Sequence, residues 1–284
     1  MEISLQTGAA NGMNLQVAHA GPAEGPLVIL LHGFPDFWWG WRHQIEALAA
    51  RGFRVIAPDM RGYNLSDKPE GVGAYQLETL AADVVALADL CGADRFRLAG
   101  HDWGGIVAWH VAAHHPQRVE KLAILNAPHP DVFLRYARRH LSQMLRSNYV
   151  GWFQLPRVPE AILKARHFAF LRRALRSSSR PGTFSDADLE RYCQAWAPPG
   201  ALTAMINYYR ALARRPWRRL RCIEPPTLLI WGLQDAFLEP GVARASLKQC
   251  QQRQSVLLEE AGHWVQLEEA AAVNEALLRF FNSA

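Results

Sequence analysis

Hydrophobic positions along this chain follow two rhythms, with a change of character in the middle third. Two extended segments, around Ile3 to Gln6 and Asn14 to His19, predict an edge hairpin. Leu27-Val28-Ile29-Leu30-Leu31 follows, an unbroken apolar run bounded by Pro26 and Gly33. Such a run reads as a strand buried on both faces, as in a parallel sheet. Trp41 to Arg51 has helical spacing and stops before Gly52, and Phe53 to Ala57 is the next buried strand. Leu77 to Leu90 predicts a helix, Phe96 to Ala99 a strand, Ile106 to His114 a helix and Lys121 to Leu125 another strand. Strands and helices alternating at these lengths indicate a mostly parallel α/β sheet flanked by helices.

From about Pro130 to Arg221 the alternation stops. This stretch has a helical pattern, is rich in arginine and aromatics, and is punctuated by Pro156, Pro159, Pro181, Pro198 and Pro199. Strand character resumes at Pro226 to Trp231 and again at Ser255 to Leu258, and a closing helix is expected over Ala270 to Phe281. A helical cap inserted into one sheet accounts for this order: core at 1–129, cap at 130–221, core again at 222–284. The sequence shows no internal repeat and no low-complexity segment.

Composition narrows the function classes. Of the 284 residues, half are hydrophobic and a fifth charged, ordinary for an enzyme with a substantial core. The net charge of +5 comes mostly from arginines in the middle third and between Arg214 and Arg221. No aromatic-basic nucleic-acid pattern accompanies them, so solvated helix faces are the expectation and no nucleic-acid partner is implied. The four cysteines, Cys91, Cys193, Cys222 and Cys250, form no CxxC pair, which argues against a structural zinc site or a disulfide framework and fits a reducing compartment. Met1 to Met13 lacks the pattern of a signal peptide, and the strongest apolar run is far too short to span a membrane, so a cytoplasmic monomer or homodimer is expected.

Chemistry concentrates at Gly100-His101-Asp102-Trp103-Gly104-Gly105, between a predicted strand and a predicted helix. The frame is the small-x-nucleophile-x-small turn of an α/β-hydrolase, with Asp102 where a serine is usual. A serine there attacks carbonyl carbon. A carboxylate suits a saturated carbon bearing a leaving group, and the resulting alkyl ester is cleaved later at its own carbonyl. A serine attacking that carbon would leave an ether that water does not readily cleave. Downstream, Asp235 follows the strand ending at Trp231 and His263 follows the strand ending at Leu258. Nucleophile, acid, histidine is the chain order of the α/β-hydrolase triad. His263 is expected to deprotonate water while Asp235 fixes its tautomer. Oxyanion donors are expected from the backbone N–H groups of Phe34, in His32-Gly33-Phe34-Pro35, and of Trp103; the Phe34-Pro35 bond is a candidate for the cis form.

The chain resembles the α/β-hydrolase-fold epoxide hydrolases over essentially its whole length. The resemblance rests on His32-Gly33-Phe34-Pro35 with Trp38 to Arg42, Asp59 to Tyr63 through Ser66-Asp67, Gly100 to Gly105, Asn126 to Pro130, and Gly262-His263-Trp264. It implies a soluble-epoxide-hydrolase-like enzyme that turns an apolar epoxide into a vicinal diol. It further implies two cap tyrosines holding the epoxide oxygen, here Tyr149 in Tyr149-Val150-Gly151-Trp152 and Tyr209 in Asn207-Tyr208-Tyr209-Arg210. A phenol can hydrogen-bond the oxygen and deliver a proton as charge develops.

Other residues receive blander readings. Phe37, Trp152, Phe153 and Trp264 are expected substrate walls. His110 and His114, four apart on one helix, lack a third ligand and read as surface histidines; His101 is expected beneath the turn and His129 as structural. Arg61-Gly62-Tyr63 reads as a loop bracing the site. No cofactor and no metal are implied. The same Asp-His-Asp logic serves haloalkane and haloacetate dehalogenases, but the residues after Asp102 are Trp103, Gly104, Gly105 and Ile106, not carboxylate-clamping arginines. A non-catalytic scaffold of this fold is the other alternative, although no triad member is missing. The physiological substrate and the regio- and enantioselectivity are not written in the sequence.

Overall fold

The computed structural model describes residues 2–214, 220 and 222–283. Its centre is an eight-stranded sheet in the order β1-β2-β4-β3-β5-β6-β7-β8, with β1 Ser4–Ala10, β2 Met13–Ala20, β3 Leu27–Leu31, β4 Arg54–Pro58, β5 Phe96–His101, β6 Val119–Leu125, β7 Thr227–Gly232 and β8 Arg253–Leu258. The hairpin β1–β2 and the β2–β4 pair are antiparallel; every pairing from β4 to β8 is parallel.

Apolarity sets this order. β3 and β7 are buried along their whole length and sit inside the sheet, whereas β1 and β8, largely exposed, form its edges. In β3 the side chains alternate between the two core layers: Leu27, Ile29 and Leu31 enter one, Val28 and Leu30 the other. The first layer is closed by α2 (Leu77–Leu90) and α3 (Trp103–His114), the second by α1 (Arg42–Ala49) and α12 (Ala270–Asn282). Two short helices, α10 (Pro240–Leu247) and α11 (Val265–Glu268), complete the second half of the core.

Between β6 and β7 the chain forms α4 (Pro130–Ala137), α5 (Leu141–Arg146), α6 (Tyr149–Trp152), α7 (Val158–Ser177), α8 (Asp186–Trp196) and α9 (Ala201–Arg214). The expected cap end at Arg221, and most of the arginines expected near it, lie outside the described residues. α8 starts with a capping box in which Ser185 and Asp188 satisfy each other's backbone N–H groups. Asp188 also accepts from Trp39 Nε1 at 2.9 Å, tying the cap to the core. Arg210, buried in α9, donates to Glu160 Oε1 at 2.7 Å and to the Phe153 carbonyl at 3.0 Å, so one guanidinium gathers three cap segments. Among the described residues no helix is long and apolar enough to cross a membrane.

Two sequence expectations need correction. The helix after the Asp102 turn starts at Trp103, not Ile106: Gly104 and Gly105 lie inside it, pressed against Leu31 and Ala127. His110 is not a surface histidine: it is buried in α3 and stacks on His114 with ring centroids 4.0 Å apart.

Candidate active site

The turn between β5 and α3 places Asp102 at φ 50° and ψ −119°, a conformation that L residues hold only under constraint. Close packing supplies the constraint. A Cβ on Gly104 would lie 2.1 Å from the Leu31 carbonyl oxygen, and one on Gly105 would lie 2.3 Å from Ala127 Cβ. Absence of side chains lets α3 press onto β3 and β6, and the tight turn lifts the Asp102 carboxylate above the carboxyl edge of the sheet.

Three neighbouring strand ends supply its partners. From the loop after β3, the Phe34 N–H donates to Asp102 Oδ1 at 2.8 Å, and the Trp103 N–H adds a favourable interaction with the same carboxylate that lowers its pKa. The Phe34-Pro35 bond is cis. From the loop after β8, His263 Nε2 stands 3.8 Å from Asp102 Oδ2. The other ring nitrogen, Nδ1, meets Asp235 Oδ2 at 2.9 Å, beyond the end of β7. Asp235 is fixed in turn: Asn126 Nδ2 donates to Oδ2 at 2.6 Å, and the N–H groups of Phe237 and Leu238 donate to Oδ1 at 2.7 and 3.0 Å. With an anion at Nδ1, that nitrogen carries the proton and Nε2 presents its lone pair to the cavity.

Burial and charge act against each other here. Burial raises the Asp102 pKa above the ordinary carboxylate value, while His263 and the two backbone donors limit the rise. Burial alone would disfavour the His263 cation, but Asp235, by charge and hydrogen bond, with Asp102 adding to it, leaves that pKa raised. Esterification of Asp102 would delete its charge and with it that part of the stabilisation, so His263 becomes easier to hold neutral once Asp102 is alkylated.

Above the carboxylate lies a cavity of about 170 Å³ between core and cap. Asp102 and His263 form its floor; Tyr149 and Trp152 of α6, Phe153 just after α6, and Tyr209 of α9 are among its walls. The Tyr149 and Tyr209 rings meet edge to face, 5.8 Å between centroids. Burial, then the nearby negative charges, holds both phenols protonated well above their ordinary pKa. Phe34 and Trp103 pack against Tyr209 at 5.4 and 5.0 Å, so the loop after β3, the Asp102 turn and the cap phenol form one aromatic contact set.

Most residues singled out in the sequence thus converge: Asp102, Asp235, His263, Tyr149, Tyr209, Phe34 and Trp103 lie at one place, and Trp152, Phe153 and Trp264 line the cavity. Phe37 is the exception. It packs edge to face on Tyr192, 5.1 Å away, and on Trp38, inside the core and not among the lining residues, because the chain turns away from the site after Pro35. His101 does lie beneath the turn, its Nε2 2.9 Å from the His263 carbonyl oxygen. Arg61 pairs with Asp83, and its carbonyl accepts from Tyr208 at 2.7 Å, which makes the loop a brace.

Sequence reasoning missed the supporting shell. Asn126, at the end of β6 with φ 38°, holds both Asp235 and the Gly232 N–H. Its position at a strand carboxyl end, next to those of β5 and β7, was the available signal. Tyr192 and Trp196 of α8 were missed as well: Tyr192 donates to Asp36 Oδ1 at 2.7 Å and Trp196 to the Pro35 carbonyl at 2.6 Å, clamping the loop that carries the Phe34 N–H. No local spacing links residues 156 and 161 positions apart.

Comparison with known proteins agrees with this fold. A family model described as the alpha/beta hydrolase fold matches residues 26–270. The chain is 44% identical to the AB hydrolase superfamily protein YfhM of Bacillus subtilis (strain 168) over 274 residues, 96% of each chain. It is 37% identical to epoxide hydrolase 4 of Mus musculus over 276 residues, 95% of this chain and 77% of that one. Among solved structures, a Bacillus megaterium epoxide hydrolase in complex with an inhibitor superposes with a TM-score of 0.90 at 32% identity, covering 98% of this chain and 100% of the other. Sequence, sheet order and site together make this chain a member of the alpha/beta hydrolase fold family, within its epoxide hydrolase branch.

Proposed function

We propose that this enzyme converts an apolar epoxide and water to a vicinal diol through a covalent alkyl ester on Asp102. The observation that carries the reading is the placement of a carboxylate oxygen and two protonated phenols around one apolar cavity. Asp102 Oδ2 attacks a ring carbon from one side while the C–O bond breaks toward the phenols, and a tyrosine proton passes to the ring oxygen. General acid help of this kind is worth about 10²–10⁴ in rate. Oδ1 then becomes the ester carbonyl oxygen, already in contact with the Phe34 N–H.

In the second half, His263 Nε2 takes a proton from water, whose oxygen attacks Asp102 Cγ. The Phe34 and Trp103 N–H groups hold the oxyanion at Oδ1. Collapse breaks the Cγ–Oδ2 bond; Oδ2 leaves in the diol and takes the proton from His263, while the water oxygen stays on Asp102. The second water proton restores the phenol. A haloacid reading finds less support, because the described cavity lining contains no arginine or lysine for the substrate carboxylate.

Oxygen bookkeeping tests the scheme. In a single turnover of excess enzyme with styrene oxide in H₂¹⁸O, the diol should leave unlabelled and the peptide carrying Asp102 should gain one ¹⁸O. A first-turnover diol that contains the label would show direct attack by water and remove Asp102 as nucleophile.

A further inference from the structure

We propose that His167, Glu190 and Cys193 form a divalent cation site of the zinc class on the cap, at a kink in α7. The backbone of α7 departs from the right-handed helix at four consecutive residues. Ala165 is extended (φ −60°, ψ 147°), and Arg166, His167 and Phe168 are left-handed at φ 49°, 54° and 55°. Three non-glycine residues in that region oppose the intrinsic preference of L-amino acids. The excursion delivers the His167 imidazole to one face of α8, where Glu190 and Cys193 stand three residues apart and share that face.

The donor set suits such an ion in distance, charge and softness. His167 Nε2 lies 3.1 Å from Glu190 Oε2, and one donor atom of each of the three residues falls within 4.8 Å of the others. A tetrahedral zinc with N and O ligands at about 2.0–2.2 Å and sulfur at about 2.3 Å holds its ligands roughly 3.3–3.6 Å apart. The nitrogen–oxygen pair, now hydrogen-bonded at 3.1 Å, needs to open by only a few tenths of an ångström, and the sulfur to close by at most about an ångström. A thiolate, a carboxylate and a neutral imidazole sum to two negative charges, matching a divalent cation. Thiolate and imidazole together select zinc over magnesium or calcium.

Access and proton flow also fit. His167 and Glu190 are exposed, 57% and 52% by side chain, so an ion has an entry path and a fourth position open to water. Cys193 is buried, and a metal ion must displace its thiol proton. Binding forms a sulfur–metal bond and releases that proton to solvent. Leu163 lies before the kink and Phe170 and Leu171 after it, all three lining the cavity, so an ion joining α7 to α8 would pin that wall. Spacing rules do not find this site because His167 is 23 and 26 residues from its partners.

The test uses the full-length protein, stripped of metal by a chelator and titrated with Co²⁺. One equivalent should bind with a thiolate-to-cobalt charge-transfer band in the near ultraviolet, displaced by Zn²⁺. The band should vanish in Cys193→Ser and persist in Cys222→Ser, which removes the exposed cysteine elsewhere. His167→Ala and Glu190→Gln should each weaken binding by at least about tenfold. Absence of a thiolate band at saturating Co²⁺, or a band that survives Cys193→Ser, would overturn the proposal. If Cys193→Ser does not fold, the surface double variant His167→Ala with Glu190→Gln decides: unchanged affinity would overturn it equally.

Discussion

At Asp102 the Phe34 N–H donates to Oδ1 at 2.8 Å, while Oδ2 faces His263 Nε2 across 3.8 Å, so the two oxygens of one carboxylate occupy different environments. Under the proposed scheme the first is the future oxyanion and the second the nucleophile. Cap chemistry follows the same logic, because a phenol that stays protonated far above neutrality donates without ionising first. Replacing Tyr209 by phenylalanine is expected to slow ring opening by more than about tenfold, given the usual worth of general acid help. Rapid-quench measurement of Asp102 alkylation reads this directly, and an unchanged rate would remove Tyr209 from the step. The meeting of Asp102, Asp235 and His263 was legible in sequence because strand ends and glycines punctuate the chain there, and each of the three follows an apolar run. Asn126 was less legible, since an asparagine after a strand also serves as an ordinary turn residue.

Among the elements, the loop after β3 packs tightly against Asp102. A Cβ on Gly33 would sit 2.4 Å from Asp102 Cβ and 2.5 Å from its Oδ1. Gly33→Ala therefore cannot leave Asp102, the proposed nucleophile, where it is. A displacement near an ångström costs on the order of 10²-fold in rate, so single-turnover alkylation should fall at least that far while far-ultraviolet circular dichroism stays native. A variant that alkylates at the parent rate would show that the loop can yield. The other side of this loop is held by Tyr192 and Trp196 of α8, a contact made by tertiary packing alone. Helix α2 was legible to the residue, Leu77 to Leu90, from its apolar spacing. The kink in α7 was not, since Ala165, Arg166, His167 and Phe168 contain no glycine or proline to mark it.

For the molecule as a whole, the parallel sheet was legible because buried strands such as β3 and β7 are continuous apolar runs. The packing of the cap was not, since it depends on long-range contacts such as the one from Arg210 to Glu160. Phe37 shows the same limit: its neighbours in sequence reach the site, yet its side chain turns into the core beside Tyr192. The buried carboxylates also leave a mark on global stability. Burial raises Asp36 and Asp59 to about 7, tempered by their hydrogen bonds. The folded state then holds protons that the unfolded chain has lost, so these two groups make stability fall as pH rises from about 4 to 7. His32 and His129, lowered to about 4 by burial, act with the opposite sign as pH falls below their ordinary value. The difference between variants isolates one group. Asp36→Asn should gain stability relative to the parent as pH is raised from about 5 to 8, read from urea midpoints; a difference flat across that range would contradict the raised Asp36 pKa.

The central claim is the covalent ester, and its most direct test removes the group that resolves it. Under the proposed scheme, His263→Gln retains the nucleophile, the oxyanion donors and the phenols but lacks the base for water. Given styrene oxide, this variant should gain the mass of one epoxide per chain, located by peptide mapping on the fragment that contains Asp102. Absence of an adduct from any epoxide, with one formed instead from a haloalkane or haloacetate, would contradict the account.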